Sequence, residues 1–404
     1  MGWIWAEAKW SPLVLLAACV ALCTPVKAGD WVVTSHIGET VEANDNPQQL
    51  PHSPGGDVGS LTDFSFKAIN ETPTLNLEFD SDLAFRAYGG PGAQSSLDGL
   101  QGNVGASVEK NTKLTDYHLD ARWQRLPASV SELTDSGVLA ANTTRSDYFA
   151  DGGLQHQIDD VNGLGWSATG TVVDFSNTNA GLTPYTDATM TESWIHNISP
   201  ITNFTASLGT EWYVASNLTQ ANTLVQTLTG QIDTQLTPRV KFMGRLGGGA
   251  VHTTEQDVFT NSDVSQTSGN FIAAANLIYE LSDNVITATA SHDFAPSSLG
   301  QIQDRTLVGV SIDHKINESS GLLLSGQLTD QLPSTSVPAN SDRRQAMILS
   351  VAYSHNLMRD WDMVLSYRFV QQEENAAFFV PFQDGASTSN AVFLTLTRNV
   401  ALLQ

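Results

Sequence analysis

The chain has 404 residues, of which 15% are charged and 41% hydrophobic, and its net charge is −23. So little charge with only ordinary hydrophobicity argues against an α/β enzyme, and so acidic a balance argues against a nucleic-acid partner. Thr, Ser, Asn and Gly fill the gap, which suits long strands with a polar face and a hydrated surface that holds divalent cations.

The first element is an export signal. "MGWIWAEAKW" carries one Lys, "SPLVLLAACVAL" is an apolar run too short to span a bilayer, and "TPVKA" ends on the small-residue site Val26-Lys27-Ala28. Residues 1–28 are therefore expected to be a signal peptide and 29–404 one barrel domain. "LAAC" at Cys19 also has the look of an acylation box, but the run continues through Val20, Ala21 and Leu22, which favours plain cleavage. Both cysteines, Cys19 and Cys23, fall in the removed segment, so neither a disulfide frame nor thiol chemistry is expected.

Beyond it, period-two alternation recurs along the chain. "TLNLEFDSDLAFRAYG" sets Leu75, Leu77, Phe79, Leu83 and Phe85 against Asn76, Glu78, Asp80, Asp82 and Arg86. "YHLDARW" sets Tyr117, Leu119, Ala121 and Trp123 against His118, Asp120 and Arg122. "VKFMGRL", "MILSVAYSHNL" and "DMVLSYRFV" repeat the pattern, so these are strands. No segment after the signal reads as an amphipathic helix.

Short polar turns separate the strands in pairs: "NETP", "KNTK", "DDVNG", "SPITN", "LTPR", "SDN", "NESS" and "LMRD". These are tight-turn compositions. Longer polar segments alternate with them, such as "SVSELTDSGVLAANTT", "SNTNAGLTPYTD" and "TTEQDVFTNSDVSQTS". The count is about 18 strands (16–18), from 31–41 to 389–401, with 97–109 alternating least well.

The strands, at about 12–14 residues, exceed the usual five or six and the ~9–11 needed to cross a bilayer. In lipid every backbone group must be paired, so such a sheet must close. The expected fold is an all-β, antiparallel, up-and-down transmembrane barrel with short periplasmic turns and longer extracellular loops. Trp166, Trp194 and Trp361 lie near short turns and are candidates for an aromatic girdle.

Two blocks go beyond pattern. "TSHIGETVEANDNP" and "LDARWQRLPASVSELTDSGVLAANTTRSDYFADGGLQHQIDD" resemble the β-barrel porin-2 family of Gram-negative outer-membrane proteins. The resemblance implies a barrel in the bacterial outer membrane and an exopolysaccharide-associated setting. It supplies no catalytic residue or substrate. One departure is the final segment, "NAVFLTLTRNVALLQ", where barrels of this type commonly place a terminal aromatic; here Phe393 lies well inside.

Chemistry is sparse. "GGGAVH" lacks the Lys and helix of a phosphate loop and reads as closely packed barrel positions. The nine His lack ligand spacing, so no metal or other cofactor is expected. What remains is an inward set: Glu78, Asp80, Asp82, Arg86, His118, Asp120, Arg122, Lys241 and Arg245. Facing lipid they would cost about 2–4 kcal/mol each at the midplane, which places them inward. An acidic ladder facing a basic one would sort solutes in a pore; paired charges would instead fill a plug. The expected function is a porin-like passive channel for small polar solutes or saccharides, not an enzyme, with a non-conducting structural or assembly barrel as the alternative. A secreted soluble β protein is a further reading, which solubility without lipid would reveal. Expected partners are outer-membrane lipid and lipopolysaccharide, the barrel-assembly machinery and, through the resemblance, exopolysaccharide.

Overall fold

Eighteen strands form one antiparallel sheet whose first and last members pair with each other, so the sheet is closed. The computed structural model describes residues 31–93, 98–135, 143–177, 182–216, 221–257, 262–334, 343–374 and 386–403. The signal segment, Cys19 and the cleavage site lie outside the described residues.

In chain order the strands are β1 (Trp31–Asn44), β2 (Asp57–Glu71), β3 (Leu75–Gly89), β4 (Gly99–Asn111), β5 (Thr115–Pro127), β6 (Thr144–Gln157), β7 (Asn162–Phe175), β8 (Tyr185–Ser199) and β9 (Thr202–Ala215). They continue as β10 (Ala221–Thr237), β11 (Val240–Asp257), β12 (Ser262–Glu280), β13 (Asn284–Ser297), β14 (Gln301–Asn317), β15 (Ser320–Pro333), β16 (Arg344–Met358), β17 (Trp361–Glu374) and β18 (Ser387–Leu403). Every expected strand is present, and each of the eight short turns joins an even-numbered strand to the next odd one.

Pairing fixes the faces, because residues opposite one another on antiparallel strands share a side. The row Phe66–Ser81 continues through Ser81–Val104 and Val104–Trp123. It belongs to a face that presents Phe85, Leu208, Leu228 and Leu246, the last 72% exposed. An apolar face this exposed on a closed sheet is the face a bilayer covers. Trp166, Trp194 and Trp361 all lie on it, at the short-turn side.

Three expectations are corrected. The segment after β5 contains a helix, α1 (Ala128–Asp135). It escaped because its eight residues give only two turns, and side chains from elsewhere hold it. The polar stretch between residues 253 and 268 has the composition of a loop, yet β11 and β12 pair along it, down to Asp257 opposite Ser262. Alternation of small polar residues there left no apolar face to detect. Finally, carboxylates stand on the outer face between apolar neighbours, among them Glu39, between Ile37 and Val41, and Glu192, between Met190 and Trp194. The cost of outward charge does not set the register of these two strands alone; their apolar neighbours do. Glu39 accepts a hydrogen bond from the Thr62 hydroxyl at 2.6 Å, which offsets part of its burden.

Candidate functional site

The bore is the site, and β3 supplies its densest charge. Asp82 stands opposite Ser65, which stands opposite His36. His36 Nδ1 hydrogen-bonds with the Ser65 hydroxyl, and Nε2 lies 3.6 Å from Asp63 and 3.8 Å from Asp82. Lys67 stands opposite Asp80 and its Nζ meets Glu78 at 2.6 Å. Asp80 and Arg122 flank Gly105 in register. A Cβ there would sit 2.5 Å from Asp80 Oδ1, so the absent side chain lets the carboxylate lie across β4 toward Arg122. The Arg86 guanidinium lies 4.1 Å from the centre of the Tyr88 ring, and the Tyr88 hydroxyl donates to Glu42 at 2.5 Å. Asp120 stands opposite Asp151, which accepts from Thr169 at 2.8 Å and pairs with His118 at 2.8 Å.

Seven of the nine inward candidates thus share one stretch of wall: Glu78, Asp80, Asp82 and Arg86 on β3, His118, Asp120 and Arg122 on β5. Lys241 and Arg245 face the bore from β11, six strands beyond β5. Lys241 lies at the short-turn rim, bonded to Glu280 at 2.7 Å, and Arg245 stands opposite Gln231 and Ala274. The charges interleave along each wall; they do not form one acidic and one basic ladder. Toward the short turns, Glu109, Asp116, His118, Gln155, Trp166 and Ile195 line a hollow of about 410 Å³ of mixed polar and apolar character.

The long-loop half is narrowed by two elements the sequence did not reveal. The tip of the β13–β14 hairpin leaves the wall and enters the bore. β13 pairs with β12 only as far as Ala273–His292. Beyond that, Ser297 accepts a hydrogen bond from the Tyr213 hydroxyl of β9 at 2.6 Å, though β9 and β13 are not neighbours in the sheet. The tip is buried on both faces, with Ala295 4%, Ile302 2% and Gln303 1% exposed. Phe294 rests on the inner side of β11 at Gly249, where a Cβ would be 2.6 Å from its ring. "GGGAVH" is therefore closely packed wall, as its composition indicated.

Helix α1 meets the tip. Glu132 is wholly buried and receives the Ser298 hydroxyl and Arg145 Nη1, the latter at 2.9 Å. Arg145, 5% exposed, also binds Asp147 at 2.6 Å and the Tyr185 hydroxyl at 3.4 Å. Around this network Val173, Phe175, Tyr185, Tyr213, Val225 and Val251 form an apolar cluster inside the barrel. A buried charge without partners would be expelled, so Glu132 and Arg145 explain why a helix so short persists. Asp187 and Glu211 stand two residues out of register on the adjoining strands β8 and β9, and Asp293 on the tip lies 3.4 Å from Arg305. Among the described residues no group of three or more His, Cys, Asp or Glu is placed to hold a metal ion.

Fold and bore together define a closed β-barrel with an apolar exterior and a charged interior. No family model matches the chain, and no curated protein matches it in sequence. Among solved structures it is similar to a BenF-like porin from Pseudomonas fluorescens Pf-5, at 8% identity and TM-score 0.48, over 92% of this chain and 99% of that one. It is also similar to OccK9 (OpdG) of Pseudomonas aeruginosa, at 11% and 0.49, over 93% and 100%. A third is OccAB3 of Acinetobacter baumannii, at 9% and 0.47, over 92% and 100%. The strand count and closure rest on this chain's own pairing.

Proposed function

We propose that this protein is a passive channel of the Gram-negative outer membrane for small polar solutes, saccharides included, with its short turns toward the periplasm. The observation that carries this reading is the interleaved charge wall of β1–β6 inside a closed barrel whose exterior is apolar. A wall of that kind stays hydrated and interacts weakly with many solutes, which suits conduction without tight capture. Barrels of 16–18 strands usually leave an aqueous channel. Lipid, lipopolysaccharide and the assembly machinery are the partners this location entails, and no step in the reading requires catalysis.

A second reading, a non-conducting barrel that supports export or attachment of surface polysaccharide, draws on the inward tip and α1, which occupy the long-loop half. Planar-bilayer recording separates the two. The channel gives stepwise current with cation preference, because carboxylates outnumber bases on the β3 wall. Flat traces from folded protein select the second reading. In a conducting protein, Asp80→Lys with Asp82→Lys lowers the cation preference; unchanged selectivity removes that wall from the ion path.

A further inference from the structure

The short-turn rim of the outer face repeats one arrangement around the barrel. At each of nine places an outward residue near the end of an even-numbered strand stands opposite the first residue of an odd-numbered one. In six of them it is basic or an imidazole: Lys110 opposite Leu75, His156 opposite Thr115, His196 opposite Asn162, His314 opposite Asn284, His355 opposite Ser320 and Arg398 opposite Trp361. The other three are Asn70, Thr234 and Tyr279, so none of the nine is a carboxylate. In so acidic a chain that exclusion is informative.

Each imidazole is oriented by its neighbour. His156 Nδ1 bonds Thr115 at 2.8 Å, His196 Asn162 at 3.0 Å, His314 Asn284 at 2.9 Å and His355 Ser320 at 2.9 Å. That leaves Nε2 for a partner outside the protein. Trp194 stacks on His196 and Tyr353 on His355, and Arg398 lies over Trp361. On the next strand the residues opposite are Tyr117, Leu164, Phe204, Leu322, Met363 and Ile37, so the ring sits at the margin of the apolar belt. The contrast with the bore is in the direct partner: His36 and His118 are paired with carboxylates, whereas the four rim imidazoles hydrogen-bond to neutral side chains, with Asp159 reaching His196 only by way of Asn162.

We infer that this ring binds the phosphate groups of phospholipids in the periplasmic leaflet. The occupant follows from charge and height: aromatic residues at a bilayer margin lie at headgroup level, and cationic or hydrogen-donating groups whose own hydrogen-bond partners are neutral complement phosphate there. The inference rests on the membrane reading given above.

The test uses the full chain, refolded in non-ionic detergent and titrated with phosphatidylglycerol or an uncharged galactolipid of the same chain length. Bound lipid is counted by native mass spectrometry. The wild type retains phosphatidylglycerol in preference to galactolipid. Lys110→Gln, His156→Gln, His196→Gln, His314→Gln, His355→Gln and Arg398→Gln combined abolish that preference, with roughly fivefold weaker binding for each of Lys110 and Arg398 removed. Lys113→Gln with Arg239→Gln, which removes two charges from the turns and none from the ring, preserves it. Equal retention of both lipids by the wild type overturns the inference, as does a combined variant that keeps the preference or a turn variant that loses it equally. Should the combined variant fail to close, shown by heat-modifiable gel migration, the wild-type lipid comparison decides alone. A wild type that stays monodisperse without detergent defeats the membrane reading instead.

Discussion

Glu132 and Arg145 are the pair on which the interior of the long-loop half depends. Removing one partner of a buried ion pair leaves the other uncompensated, at about 3–5 kcal/mol. Glu132→Ala is therefore expected to lower unfolding stability by that order in urea titration and, by freeing Ser298, to raise single-channel conductance. A variant as stable as wild type with unchanged conductance counts against the role of the Glu132 contacts with Ser298 and Arg145. Glu39 makes the opposite kind of case. As an outward carboxylate it costs less than the about 2–4 kcal/mol of a cation at the midplane. Glu39→Gln should therefore gain stability in liposomes, by less than that amount; a loss would mean that Thr62 offsets the whole burden. At the β6–β7 turn, Asp159 accepts the Asn162 side-chain amide and the backbone N–H groups of Val161 and Asn162. The Asn162 side chain, first among these, holds the Asp159 carboxyl below its ordinary value. Its folded value is the lower one, so the contribution is complete above the ordinary ~3.9 and is lost as pH falls through the folded value. The Val161 and Asn162 amide resonances should titrate with a midpoint below that figure, and one at or above it excludes the bond.

At the level of elements, period two and turn chemistry were enough to find the wall. A strand such as β3 shows its two faces directly in sequence, because lipid and water sort alternate positions. The candidate charges of β3 and β5 were legible for the same reason, since alternation alone assigns their side. What alternation does not encode is a strand that leaves the sheet. In sequence the β13–β14 hairpin reads as two ordinary strands, 285–296 and 303–316, with a connection between them, and nothing in the pattern marks its tip as turning inward. Helix α1 was hidden likewise: its partners Arg145 and Ser298 come from two distant segments. Gly249→Val tests the tip. The new side chain needs the space of the Phe294 ring and should displace the hairpin, costing about 1–3 kcal/mol as an overpacked site and increasing tryptic cleavage at Arg305. An unchanged digest would show that the tip is held without Phe294.

For the whole molecule, closure and an apolar exterior make two demands. Purified protein should need detergent to stay dispersed, and unboiled samples should migrate on gels apart from boiled ones. Predominantly helical circular dichroism, or clean solubility in buffer alone, would contradict the architecture itself. Closure also has a kinetic side. The seam joins β1 to β18, with Thr40 bonded to Thr395 at 2.8 Å across 355 residues of sequence. Until those two strands meet, the growing sheet has bare hydrogen-bonding edges on either flank, each able to recruit a stranger. Contacts so remote in sequence form slowly, so the nearly finished, still open sheet is the species most exposed to aggregation, and the moment at which an escort matters most is the zipping of its final edge.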